Sequence, residues 1–150
     1  KLTAQQFQPA STSALPGGRL TQEQSMPQIG PYARSIMDSD SVSGTPAEKR
    51  RMALLVEREI VTNQNAPRLI GPTLKLLDVN YIHDENVYSY NYRTFDDALT
   101  EISDLGDRLQ NNYCSAAEYA LFRDLNVTVR WYYWDKTGAL VRKFESVPCD

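Results

Sequence analysis

Apolar positions are unevenly arranged along the 150 residues. From residue 46 onward they fall into short periodic runs, and before it they recur singly. Thr45-Pro46-Ala47-Glu48 is a capping-box sequence with proline at the first helical position. Met52, Leu55, Val56 and Ile60 follow on one face at helical spacing. The pattern predicts a helix that ends near Asn63-Gln64-Asn65, ahead of Pro67. Its other face, with Lys49, Arg50, Arg51, Glu57 and Arg58, reads as solvated. Thr73 to Ile82 and Val87 to Arg93 read as paired strands turning at His83-Asp84-Glu85-Asn86. Alternation slips at Leu76-Leu77, which predicts a bulge. In the second strand Tyr88, Tyr90 and Tyr92 share one face.

A second helix is predicted from Thr94, with Ala98, Ile102, Leu105 and Leu109 as its buried stripe. Ser115-Ala116-Ala117-Glu118 is another capping-box sequence and predicts a short helix to about Leu125, with Cys114 just ahead of it. Asn126 to Trp134 and Ala139 to Val147 read as a final hairpin around Asp135-Lys136-Thr137-Gly138. The predicted order is α-β-β-α-α-β-β. That is an α+β domain over residues 46–150, its sheet largely antiparallel and built of two hairpins, with helices packed on one face.

Residues 1–45 differ. Ser, Thr, Gln, Pro and Gly supply 25 of those 45 positions, and no helical or alternating period is sustained. Gly17-Gly18, Gly30-Pro31 and several further prolines break regular structure. The segment reads as an extended polar arm. Phe7, Leu15, Leu20, Ile29 and Tyr32 recur along it as single apolar side chains, more than a plain linker carries, and are expected to anchor the arm on its own domain or on a partner.

Composition narrows the function. The formal net charge is −3, which opposes a nucleic-acid footprint, and no polybasic run marks an anionic-lipid site. Ala53-Leu54-Leu55-Val56 is the longest aliphatic run, far short of a membrane span. The chain starts at Lys1 with no signal peptide, as a processed product does, and a lipid anchor removed with the missing N-terminus is compatible with that start. Two cysteines, Cys114 and Cys149, fit one disulfide; the alternative is a pair of reduced thiols. Cys149 is the penultimate residue, where a lone thiol has little structural use, and a bond there implies an oxidising compartment outside the cytoplasm.

No residue set reads as catalytic. His83 is the single histidine and sits in a predicted turn. With two cysteines it cannot complete a zinc site without several carboxylates. Asp97, Glu101 and Asp104 have helical spacing, but acids near a helix start oppose the dipole and need no catalytic explanation. No enzyme activity, metal or cofactor is expected. The strand 126–134 is aromatic on both faces, through Trp131/Tyr133 and Tyr132/Trp134. One helical layer can cover only one face, so Tyr132 and Trp134 are expected to form a binding surface for the arm or a partner.

Three features recur together here: a hairpin strand with alternating tyrosines (Tyr88-Ser89-Tyr90-Asn91-Tyr92), a cysteine ahead of a short helix, and the strand–turn Val129 to Gly138 followed by a terminal cysteine. In this, residues 73–149 resemble a group of small exported proteobacterial proteins that includes the quorum-sensing-regulated virulence factor family. The resemblance implies an exported location and a Cys114–Cys149 bond. It brings no reaction. The resulting expectation is a non-enzymatic protein of the bacterial envelope, periplasmic or extracellular. It would serve as an accessory or structural subunit of a multi-subunit complex such as a secretion apparatus. The alternative is a secreted effector or inhibitor that binds a protein partner as a free monomer.

Overall fold

The computed structural model describes residues 29–40 and 42–149. The elements are α1 (Pro31–Met37), α2 (Pro46–Gln64), β1 (Arg68–Leu69), β2 (Leu74–Ile82), β3 (Val87–Thr94), α3 (Asp97–Thr100), α4 (Leu105–Ser115), a 3-10 turn (Ala117–Tyr119), α5 (Ala120–Asp124), β4 (Thr128–Trp134) and β5 (Leu140–Ser146). The strands form one five-stranded sheet in sequence order. The architecture is α+β, with the helices on one side of the sheet.

The Thr45 capping box is complete. Thr45 Oγ1 accepts the Glu48 N–H (3.1 Å) and Glu48 Oε1 accepts the Thr45 N–H (3.0 Å), which holds the Glu48 carboxyl below its ordinary range. The hairpin β2–β3 is antiparallel, and its register shifts between Leu76 and Asp78, where the alternation slips. Pairing of β4 with β5 is antiparallel too, but β3 and β4 run parallel. The expected all-hairpin sheet is therefore mixed. The helical segment between β3 and β4 is a crossover, and a crossover returns the chain in the same direction.

Other expectations are corrected. Part of the supposed extended arm is helical: α1 lies along α2, and its first N–H groups are met by a distant side chain rather than by a local cap. Thr94 starts no helix. It is the buried end of β3, and its hydroxyl closes a local turn with Asp96. The predicted helix over 94–109 is split into α3 and α4, so Asp97, Glu101 and Asp104 do not share one helical face. Ser115 is no cap either. It is the last residue of α4, where its hydroxyl donates to the Asn111 carbonyl (2.8 Å), and Cys114 sits in the last turn of α4 rather than ahead of a helix. The sequence reading missed β1, a two-residue edge strand.

One aromatic core joins sheet and helices. Tyr88, Trp131, Tyr133, Tyr113, Tyr119 and Phe122 are fully buried, and Tyr90 stacks on Trp131 with centroids 4.8 Å apart. Trp131 Nε1 donates to Ser146 Oγ (2.9 Å) and the Tyr113 hydroxyl to the Val127 carbonyl, while the Tyr88 and Tyr133 hydroxyls are buried without a hydrogen bond. Gly106 lets α4 approach β5, since a Cβ there would stand 2.9 Å from the Phe144 ring.

Candidate functional site

The helices cover the sheet face that carries Leu76, Tyr90, Trp131 and Phe144. Strand alternation puts Tyr132 and Trp134 on the opposite face, where both are half-buried. Their rings lie 6.5 Å apart and within 25° of parallel. Trp134 Nε1 donates to Asn91 Oδ1 (3.0 Å), and Asn91 Nδ2 donates to Asp78 Oδ1 (2.8 Å). Lys143 Nζ stands 5.9 Å from the Tyr132 ring centroid. A row further along, Arg130 bridges Glu145 (2.7 Å) and Glu85 (3.1 Å), and the Glu145 bond leads the rise in its already high pKa. Leu140 and Val141 border this surface and are 45% and 39% exposed. Hydrogen bonds through Asn91 thus hold the Trp134 ring, with Tyr132 stacked beside it, next to exposed aliphatics.

The described part of the arm meets the domain elsewhere. Ile29 and Tyr32 are 38% and 39% exposed. The Glu57 carboxylate of α2 accepts the N–H groups of Tyr32 (2.9 Å) and Ala33 (3.0 Å), and Gln64 Nε2 donates to the Tyr32 hydroxyl (3.1 Å). Lys49 Nζ donates to the Ser39 carbonyl (2.6 Å). The α2 face read as solvated therefore receives α1. Tyr32 is half engaged and half available. Phe7, Leu15 and Leu20 lie outside the described residues.

Cys114 and Cys149 are joined, with Cα atoms 5.8 Å apart. The bond ties the end of α4 to the chain beyond β5. His83 pairs with Asp84 at 3.1 Å, and both are largely exposed. They open on a polar cavity of about 510 Å³ between the first turn of α2 and the β2–β3 turn, also lined by Glu48, Arg51 and Tyr81. Its acids are engaged: Glu48 closes the capping box and Asp84 holds His83. Asp96 accepts the Ala98 N–H and Asp104 pairs with Arg108 (3.1 Å), so these carboxylates serve turns and a helix start. Among the described residues no group of three His, Cys, Asp or Glu is placed to hold a metal ion, and no helix is long and apolar enough to cross a membrane.

Sequence reasoning missed one titratable group. Glu118, in the 3-10 turn, has its carboxyl pushed up to about 8 by burial, against the opposing pull of Arg58 and Arg68. Its Oε1 is buried without a hydrogen bond. Arg58 spends one donor on the Glu118 backbone carbonyl (3.0 Å) and rests on the Phe122 ring. Nothing in the local sequence signals this, because the partners come from α2 and β1.

The fold and this surface define a small, disulfide-closed α+β domain with one sheet face under helices and the other, among the described residues, open. No protein-family profile and no curated protein sequence matches the chain. Solved structures do share its fold. A candidate secreted protein of Pseudomonas aeruginosa superposes with a TM-score of 0.57 at 12% identity, over 69% of this chain and 94% of its own. EpsS, the pilotin of the Vibrio vulnificus type 2 secretion system, gives 0.57 at 16% identity, over 67% and 91%. AspS, the type II secretion system pilotin of Vibrio cholerae, gives 0.52 at 14% identity, over 67% and 92%. At such identities the likeness is one of fold. The quorum-sensing-regulated virulence factor family, which the C-terminal motifs resemble, is shown by none of these comparisons.

Proposed function

We propose that this chain is an exported envelope protein that acts as a non-enzymatic accessory or structural subunit of a secretion apparatus. It docks to a protein partner through its N-terminal arm and the aromatic sheet face. The observation that carries the reading is the stacked Tyr132–Trp134 pair on the sheet face opposite the helices, with Trp134 hydrogen-bonded to Asn91. Preorganised aromatic side chains with a polar surround suit protein recognition. The fold shared with two pilotins supports the assignment to a secretion apparatus, and the Cys114–Cys149 bond supports an oxidising compartment. The test is native co-purification from envelope fractions with three proteins: the full chain, a deletion of residues 1–28, and Trp134→Ala. Partner recovery falls in both variants on this reading. Unchanged recovery in both contradicts it.

A second reading is a secreted effector or inhibitor that works as a free monomer. The fold shared with a candidate secreted protein favours it. Its partner would be found outside the producing cell rather than in the envelope fraction.

A further inference from the structure

Seen across the strands, the open face is a set of rows. One row runs Lys75 on β2, Arg93 on β3, Trp134 on β4 and Leu140 on β5, with Val141 the extra residue of the irregularity opposite Trp134. In the next row Asp78 accepts a hydrogen bond from Asn91 and Lys143 stands beside the Tyr132 ring, and the row beyond is closed by ion pairs, with Arg130 bridged by Glu145 and Glu85. The first row is not closed. Lys75 and Arg93 stand directly opposite each other on adjacent strands, a placement that costs stability through like-charge repulsion. Among the described residues neither has a carboxylate within ion-pair distance. Arg93 Nε is buried and makes no hydrogen bond. Two uncompensated cations thus lie at one end of a line whose other end is Trp134, Leu140 and Val141.

We propose that this row binds an extended acidic segment of the partner protein, with carboxylates on Lys75 and Arg93 and an apolar side chain against Trp134, Leu140 and Val141. The inference rests on the docking role given above to this face, and adds the chemistry of what docks. From β2 to β5 is three strand spacings, or roughly 14 Å, which an extended peptide spans with about four or five residues. The row is one side chain deep and acids stand in the rows beside it, which suits a single peptide and opposes a broad anionic membrane. The net charge of −3 opposes a membrane further. The chain's own arm is a poor occupant, since residues 1–28 hold Glu23 alone against Lys1 and Arg19.

The test is fluorescence polarisation of the full chain with synthetic nine-residue peptides. Each has a central Leu-Phe pair flanked on one side by two Glu, two Gln or two Lys. The Glu peptide binds about tenfold tighter than the Gln peptide at low salt. The difference closes in high salt and in a folded Lys75→Gln/Arg93→Gln variant, and Trp134→Ala weakens both peptides. Equal binding of Glu and Gln peptides, or no binding of the Glu peptide, overturns the proposal. Binding to phosphatidylglycerol vesicles that depends on Lys75 and Arg93, and that the Glu peptide does not displace, also overturns it. Co-purification separates the two levels of the argument. A partner kept by Lys75→Gln/Arg93→Gln but lost with Trp134→Ala overturns the acidic segment alone, and a partner kept by both variants overturns the docking face as well.

Discussion

The side-chain amide of Gln110 meets the backbone of Val147 twice: Nε2 donates to the Val147 carbonyl and Oε1 accepts the Val147 N–H, both at 2.9 Å. Asn63 repeats the arrangement at the other edge of the sheet, with Nδ2 donating to the Val79 carbonyl and Oδ1 accepting the Val79 N–H, again at 2.9 Å. Each amide stands in for a neighbouring strand, and Glu59 adds to the second edge by accepting the Tyr81 N–H (2.7 Å). Helical side chains thus occupy the outer backbone of β2 at Val79 and Tyr81 and the chain just beyond β5 at Val147, which limits adventitious strand addition at those positions.

Removing either amide therefore costs stability, and by unequal amounts. Asn63→Ala leaves two partly buried backbone groups without partners and lowers unfolding free energy by about 2 kcal/mol. Gln110→Ala exposes its groups to water and costs about 1 kcal/mol. Urea unfolding of the two single variants and the double variant checks this. The effects add, because the sites lie at opposite edges.

The disulfide closes a separation of 35 residues. In the chain-entropy account such a loop is worth ~4 kcal/mol. Cys114→Ser/Cys149→Ser lowers stability by about 2–4 kcal/mol in urea melts. It leaves β5 paired with β4, since Gln110 still holds Val147.

Glu118 gives the fold a pH dependence of stated sign. Burial pushes its carboxyl up to about 8 in the folded chain, from an ordinary value of 4.5. Between those values the folded state binds more protons than the unfolded state, so stability from this group is full below pH 4.5. It falls as pH rises and is lost by pH 8. Glu118→Gln removes the slope, and its Tm at pH 8.5 rises by about 3–6 °C. Thermal melts at several pH values check it, and parallel curves for the two proteins contradict it.

The base of the arm depends on one carboxylate. Glu57→Ala leaves the N–H groups of Tyr32 and Ala33 uncapped at the start of α1, a loss of about 1 kcal/mol confined to that helix. Hydrogen exchange speeds up over residues 32–37 and stays unchanged in β4.

Local chemistry was legible in the sequence, and long-range pairing was not. The Thr45 capping box, the slip at Leu76-Leu77 and the Asp135–Gly138 turn are each decided within a few residues. Hydrogen bonds from Thr137 and its neighbours hold the Asp135 carboxyl low, as that turn requires. Ser115 misled because a hydroxyl three residues before a glutamate fits a cap and a back-bonded helix end equally well. The helix α1 was hidden because its capping group, Glu57, lies 25 residues from Tyr32. The parallel β3–β4 pair follows from where the crossover lands, which no local period records. Of the site, the outward placement of Tyr132 and Trp134 followed from strand alternation. Lys75 and Arg93 could not be placed beside them, because only the strand order β2-β3-β4 brings those residues into one row.

The open sheet face is tested most directly by a photo-crosslinking side chain at position 134 of the full chain, irradiated in its native host. A matched probe at the exposed helical position 111 serves as control. The account predicts a discrete adduct with an envelope protein from position 134 and none from position 111. Equal adducts from both positions, or none from position 134, would contradict it.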